Sequence, residues 1–303
     1  MPELPEVETV ARGLDKRIAG DTIDSVWLGP KPEPLKSPAT EIAAVLERSK
    51  ITHVRRVGKH IVFDLERSGT HVGKNARRGA PAHSRASGAS GLAQSETRDQ
   101  AQWIVHLGMT GQLLIATHET EMLKHTHAVL RLGSGRELRF VDPRRFGRLA
   151  VVRMDAQHGS GFAAPGDEPL DSRIDSFIAL FKHRKTPIKS ALLNQKLLSG
   201  VGNIYADEAL FRAGVRPRRR ASSLTRSELQ KLHVGLRKVL REAIKLGGSS
   251  INDYVDAEGR AGFFQLKHRV YGREGKPCLV CGTPIKRVII AGRSSHYCPH
   301  CQK

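Results

Sequence analysis

Removal of Met1 would leave Pro2 as a secondary α-amine, and an unprotonated amine is a nucleophile. An α-amino group has a pKa of about 8, so a useful fraction is free at neutral pH, whereas a lysine at about 10.4 needs strong perturbation to match it. Glu3 stands beside that amine and Glu6 follows one helical turn later. Taken alone, the stretch is also ordinary helix-start chemistry, because Pro5 suits a first turn and acidic residues suit a helix N-terminus.

The four cysteines of the chain all lie in its last 26 residues, as Cys278-x2-Cys281-x16-Cys298-x2-Cys301. Two CxxC knuckles fit one structural Zn²⁺ held by four thiolates; the alternative, two disulfides, does not suit a cytoplasmic protein. His300 sits within the second knuckle but is left over once four sulfurs close the site. The residues between the knuckles predict a β-hairpin with Ala291-Gly292-Arg293 at its tip, where Arg293 can meet a phosphate.

Three further stretches place chemistry on turns. In Leu198-Ser199-Gly200-Val201-Gly202-Asn203-Ile204, glycines permit close backbone approach and the following helix start offers free N–H groups to an anion. Asn203 is expected to cap that helix and reach a phosphate, with Lys189 and Arg184 one helix earlier; a plain helix–helix turn reads the same. In His106-Leu107-Gly108-Met109-Thr110-Gly111, an exposed Met109 could wedge into a base stack; a methionine buried under a tight turn is the alternative. In Asp142-Pro143-Arg144-Arg145-Phe146-Gly147, two arginines and an aromatic suit phosphate contact and insertion, or a solvated turn with Phe146 tucked inward.

The elements that must hold these residues change period along the chain. Val7, Val10, Leu14 and Ile18 recur at helical spacing before Gly20. Strands are expected at Ile23–Leu28, across Ile51–Leu65 with a bend at Gly58-Lys59, and at Gln102–Leu107, Gln112–Ala116, His127–Leu132, Glu137–Val141 and Arg148–Val152. A short helix falls at Ala39–Arg48. Residues 68–101 hold scarcely any core formers and read as a flexible surface insertion. From Ile174 the pattern is helical: Ile174–Lys182, Pro187–Gln195, Asn203–Ala213 and Thr225–Leu246, the last with a Thr225/Glu228 capping box and a Gly247-Gly248 stop. The expected fold is α+β and multidomain. A β-sandwich with flanking helices fills 1–156 and a linker 157–170. A helical domain fills 171–264, and a zinc-ribbon hairpin 265–303.

Composition names the partner class. The 303 residues carry a formal charge of +20 and a pI of about 10.3, which implies a polyanion, nucleic acid before an anionic membrane surface. No apolar run approaches the roughly 20 residues of a membrane span. The N-terminus is no signal peptide, so the cytoplasm is expected. Aromatics at 5% are scarce for a single-strand binder built on stacking, which favours duplex backbone recognition.

These stretches, with Lys124-His125-Thr126-His127 and Gly200 to Ala206, occur in the order found in bacterial formamidopyrimidine-DNA glycosylases, which the chain resembles over nearly its whole length. The resemblance implies an enzyme that removes oxidised purines (8-oxoguanine, formamidopyrimidines) from duplex DNA and cleaves the strand at the abasic site. It implies Pro2 as nucleophile, Glu3 as the acid of sugar opening and base loss, Lys59 in β-elimination and Arg293 in δ-elimination. His125, Arg144, Arg184 and Asn203 match DNA-contacting positions, and Met109, Arg144 and Phe146 match residues that fill the space of the extruded base. Glu6 would lie near the lesion pocket, and residues 249–264 would be a lesion-capping loop of a helix-two-turn-helix domain. A monomer is expected. The insertion at 68–101 and an arginine at 184 depart from the usual pattern. Two other readings stay open: an endonuclease VIII-type enzyme acting on oxidised pyrimidines, and a non-catalytic damage binder on the same scaffold.

Overall fold

The computed structural model describes residues 1–67, 99–154, 161–250 and 254–303. Most of the expected insertion, part of the linker (157–160) and part of the expected capping loop (251–253) lie outside them. The end of the insertion is corrected, because Asp99 to Ala101 pair with Arg67 to Leu65 in a strand.

Helix α1 (Leu4–Ile18) starts with Glu3 at its N-cap in a capping box with Glu6 and Pro5 in the first turn. Its stripe of Val7, Val10, Leu14 and Ile18 is wholly buried. Strand β1 (Ile23–Leu28) and helix α2 (Ala39–Leu46) follow, then β2 (Lys50–Val57), β3 (His60–Arg67), β4 (Asp99–His106), β5 (Gln112–Thr117), β6 (Thr126–Leu132), β7 (Arg136–Val141) and β8 (Arg148–Met154). These strands form two antiparallel four-stranded sheets, β1-β6-β7-β5 and β2-β3-β4-β8. Inward side chains of both, among them Phe63, Trp103, Leu130 and Phe140, share one core with α1 and α2. Alternation of buried and outward residues follows from the two-residue period of a strand.

The second core belongs to α3 (Ile174–Phe181), α4 (Ile188–Leu192), α5 (Asn203–Ala213) and α6 (Arg226–Lys245). Helix α4 is shorter than the sequence period suggests. Asn194 accepts the Lys196 N–H through Oδ1 at 3.0 Å and so turns the chain out of the helix. Helix α6 begins on the expected capping box, Thr225 Oγ1 accepting from Glu228 N, and ends before Gly247 (φ 74°). A third, small core surrounds the cysteines beside β9 (Lys286–Ile290) and β10 (Arg293–Tyr297).

One residue decides how the cleft between the first two cores is closed. Leu4, the first residue of α1, is wholly buried in the helical core, while Val7 onward is buried in the sandwich core. The amino terminus is therefore pinned where the two bodies meet. Arg56, 6% exposed, reinforces the junction. It donates to Glu8 Oε2 of α1 at 2.7 Å, to Glu168 Oε2 at 2.8 Å and to the Gly58 carbonyl at 3.1 Å.

Candidate active site

A cleft of about 330 Å³ opens at that junction, and Pro2, Glu3, Lys59, Asn203 and Arg293 line it together with Met109. Four separate elements deliver them. The start of α1 brings Pro2 and Glu3. The two-residue bend between β2 and β3 brings Lys59, with Gly58 at φ 61° in the first central place that tight hairpins reserve for glycine. The N-terminus of α5 brings Asn203. The first residue of β10 brings Arg293. The hairpin tip is the pair Ala291-Gly292, both at positive φ, so Arg293 begins the strand and is not part of the tip.

Glu3 is 4% exposed and its carboxylate accepts from Ile204 N at 3.1 Å and Tyr205 N at 3.5 Å. It thereby fills the end of α5 where unsatisfied N–H groups and the positive end of the dipole lie. Asn203 does not cap that helix: Gly202 is the N-cap, and the acceptor comes from Glu3, about 200 positions away in the chain. Gly202 is required there, since a Cβ would stand 2.2 Å from Glu3 Cδ. Asn203 Oδ1 is buried with no partner among the described residues. Gln195 staples the turn, accepting from Gly200 N at 3.0 Å and donating to the Leu193 and Val201 carbonyls.

Glu6 lies behind Glu3, accepting from Glu3 N and Ser249 N, each at 2.8 Å, and from the Tyr205 hydroxyl. Burial, then the nearby charge of Glu3, push its carboxyl up to about 7. Burial also raises Glu3 above the ordinary carboxylate range, opposed by the charge of Lys59 and the two α5 N–H groups. Burial lowers Lys59, with Arg293 acting in the same sense and Glu3 against it. The amine of Met1 is likewise lowered, first by burial. The cleft thus holds carboxyls biased toward their protonated form and amines biased toward their free form.

The two loops above the cleft are built as one unit. Gly108 (φ 64°) passes so close to the other loop that a Cβ would stand 2.5 Å from the Phe146 carbonyl carbon. Asp142 is fully buried and accepts from Thr110 Oγ1 at 2.6 Å, from Gly147 N at 2.7 Å and from Arg144 N at 3.2 Å, tying the loops together. Met109 and Phe146 remain 43% and 52% exposed, and the Arg144 guanidinium lies 4.9 Å from the Phe146 ring centre. His125 is exposed at φ 69°, its carbonyl accepting from Asp142 N. Arg184 is exposed on the turn after α3 and does not line the cleft.

Lys189 is corrected. It is wholly buried, 2.8 Å from Asp207 and 2.6 Å from the Ser294 carbonyl, so no phosphate reaches it. It joins α4 to the strand that carries Arg293. Asp207 grips that strand further, accepting from Ser295 Oγ and His296 N at 2.8 Å. Sequence reasoning missed Tyr205 and Tyr271. Tyr205 lies inside the Gly200–Ala206 motif, where a nearby tyrosine was visible; Tyr271, which lines the cleft, carried no local signal.

The sulfurs of Cys278, Cys281, Cys298 and Cys301 lie within 4.8 Å of one another, and all four thiols are free. A tetrahedron of zinc–sulfur bonds of about 2.3 Å sets sulfurs roughly 3.8 Å apart, and the separations of 3.4, 3.5 and 3.9 Å fit it. Zinc suits this donor set.

A sandwich and a helical body that bring Pro2, two buried acids and a buried lysine to one cleft, beside a cysteine hairpin, are the parts of a lyase-type DNA glycosylase. Three family profiles match: the formamidopyrimidine-DNA glycosylase N-terminal domain over residues 1–149, its H2TH domain over 165–255, and a zinc finger found in FPG and IleRS over 275–303. Formamidopyrimidine-DNA glycosylases of Solibacter usitatus and Desulforamulus reducens are 44% and 38% identical, covering all of this chain and 100% and 99% of theirs. Among solved structures, the Thermus thermophilus MutM (Fpg) protein is similar at TM-score 0.77 and 39% identity, covering 99% of this chain and 98% of that one. A Lactococcus lactis Fpg bound to Fapy-dG-containing DNA is similar at TM-score 0.80 and 32% identity over the full length of both chains. The chain belongs to the formamidopyrimidine-DNA glycosylase family.

Proposed function

We propose that Pro2, freed of Met1, is the nucleophile of a base excision repair enzyme that flips oxidised purines out of duplex DNA, releases the base and cleaves the strand. The enzyme is a DNA glycosylase and abasic-site lyase, and its partner is lesion-containing double-stranded DNA. The observation that carries the residue assignment is the convergence of Pro2, Glu3, Lys59 and Arg293 on one cleft.

The chemistry follows from the groups there. A stacked nucleotide cannot be attacked at C1′, so it is first extruded, at a cost of a few kcal/mol, roughly. Met109, Arg144 and Phe146 occupy its place in the stack, and His125, Arg184 and Asn203 hold the backbone. The amine of Pro2 attacks C1′ while Glu3, biased toward its protonated form by burial, gives a proton to the opening sugar. The base departs and a cationic iminium remains. That cation acidifies the C2′ protons, and Lys59, lowered by burial, serves the β-elimination. Arg293 grips phosphate and serves the δ-elimination. Glu6 borders the lesion pocket. One zinc ion on Cys278, Cys281, Cys298 and Cys301 stiffens the hairpin that carries Arg293.

Domains are assigned as a sandwich over 1–156, a linker over 157–170, a helix-two-turn-helix domain over 171–264 and the zinc finger over 265–303. Among the described residues no helix is long and apolar enough to cross a membrane, and a monomer working at the nucleoid in the cytoplasm fits the reading. Borohydride trapping on a duplex carrying 8-oxoguanine opposite cytosine tests it, with an oxidised-pyrimidine duplex alongside. A covalent adduct mapped to an N-terminus beginning at Pro2 is expected on the first. An adduct on the second alone moves the substrate to pyrimidines; none on either, with Met1 removed, leaves only a damage binder.

A further inference from the structure

A groove of about 840 Å³ lies between the C-terminal end of α5, one face of α6 and the first cysteine knuckle. Among the described residues, none lines both this groove and the catalytic cleft. The two sit at opposite ends of α5, whose eleven residues span roughly 16 Å at 1.5 Å each. A chain docked in the groove therefore leaves the cleft open to DNA.

The groove combines two chemistries. Arg212, Lys231, Lys238 and Arg269 line it, and among the described residues no carboxylate does. Arg212 is held by Glu242 at 2.6 Å, and Glu242 is also the acid that acts on Lys238 and Arg269 through space. Glu208 accepts from the Arg269 backbone N–H at 3.0 Å, but among the described residues no carboxylate lies within ion-pair distance of the side-chain cations of Lys231, Lys238 or Arg269. Beside these cations and the polar Ser227 and Gln230, the groove offers apolar surface. Phe211 is buried in the wall, while Val234 and Val280 are 63% and 65% exposed. Lys231, Val234 and Lys238 fall on one helix face by their spacing of three and four, so charge and apolar contact alternate along it.

A DNA backbone would meet the cations but leave the valines facing a polar, convex surface. A peptide with apolar side chains set between carboxylates satisfies both sets in a concave site. We propose that this groove docks an acidic, apolar-anchored segment of a partner protein while the enzyme works on DNA. The proposal does not depend on which lesion the cleft prefers.

Fluorescence anisotropy with the full-length zinc-loaded enzyme tests it. The probes are labelled ten-residue peptides, each with four Asp or Glu and two Leu or Phe at every spacing from one to five. At least one spacing is expected to bind. Lys231→Glu with Lys238→Glu should weaken it by about tenfold or more, as should Val234→Asp alone, while cleavage of an 8-oxoguanine duplex by each variant stays unchanged. Replacing Leu or Phe by Ser in the best peptide should abolish binding. Equal binding of that Ser peptide overturns the apolar anchor, and competition by undamaged duplex assigns the groove to DNA instead. Failure of every spacing below about 1 mM, a free energy of roughly 4 kcal/mol, also overturns the proposal.

Discussion

Glu3 does two jobs with one carboxylate: it completes the N-terminus of α5 and faces the cleft. Glu3→Gln keeps an acceptor for the α5 N–H groups but loses the proton donor. Single-turnover base release should fall by about 10²–10⁴, the usual worth of a general acid, while strand cleavage of a preformed abasic duplex falls less. Equal loss in both assays would put Glu3 in the elimination steps. Glu6 makes a separate prediction about stability. Its carboxyl is raised to about 7 in the fold against an ordinary 4.5, so between those values the folded state holds a proton that the unfolded state has released. Stability from Glu6 is thus fully present below pH of about 4.5 and is lost as pH rises toward about 7. The span is on the order of 3 kcal/mol. Glu6→Gln mimics the protonated form. The wild-type advantage over this variant, measured as denaturant midpoints from pH 5 to pH 8, should shrink with rising pH. A pH-independent difference would show that Glu6 does not titrate there.

Turns and helix ends, more than helix or strand interiors, place the chemistry. At Gly202 φ is −130°, so alanine meets no backbone strain; what it meets is Glu3. Gly202→Ala should push the carboxylate off α5 and lower base release by about tenfold to a thousandfold with the helical content intact by circular dichroism; full activity would mean the Glu3–α5 contact is dispensable. The same long-range character decides what the sequence could disclose. Helices α1 and α6 and the paired strands were legible because their periods are local, and their caps are Glu3/Glu6 and Thr225/Glu228 three residues apart. The cap of α5 was not, because its acceptor lies at the far end of the chain. Lys189 looked like a phosphate contact because a basic residue beside a glycine turn carries no sign of Asp207, which reaches it only through the packing of α4 on α5. Helix α4 was overread because the apolar period runs on past Asn194, whose side-chain hydrogen bond breaks it.

The described residues form three cores joined by a few buried links: the apolar Leu4 and the charged Arg56 between sandwich and helices, and the Lys189–Asp207 pair between helices and cysteine hairpin. The last link is costly to break from one side. Lys189→Ala leaves Asp207 buried without its cation, which typically costs about 3–5 kcal/mol, and thermal melting should report a large drop. If the midpoint hardly moves, the pair is not holding the hairpin. Metal removal breaks the same link from the other side. Cys278, Cys298 and Ile285 make most of a very small core, and so small a body depends on its zinc to stay folded. After chelation, hydrogen exchange should quicken across Lys286–Ile290 and Arg293–Tyr297, while the amides of β3 and β4 stay protected. Arg293 then loses its fixed place in the cleft, so affinity for an abasic-site duplex should fall by about tenfold or more. Restored zinc should return both. Loss of protection in the sandwich strands at the same metal concentration would instead mean that the three cores unfold together, and that the hairpin supports the whole chain and not the site alone.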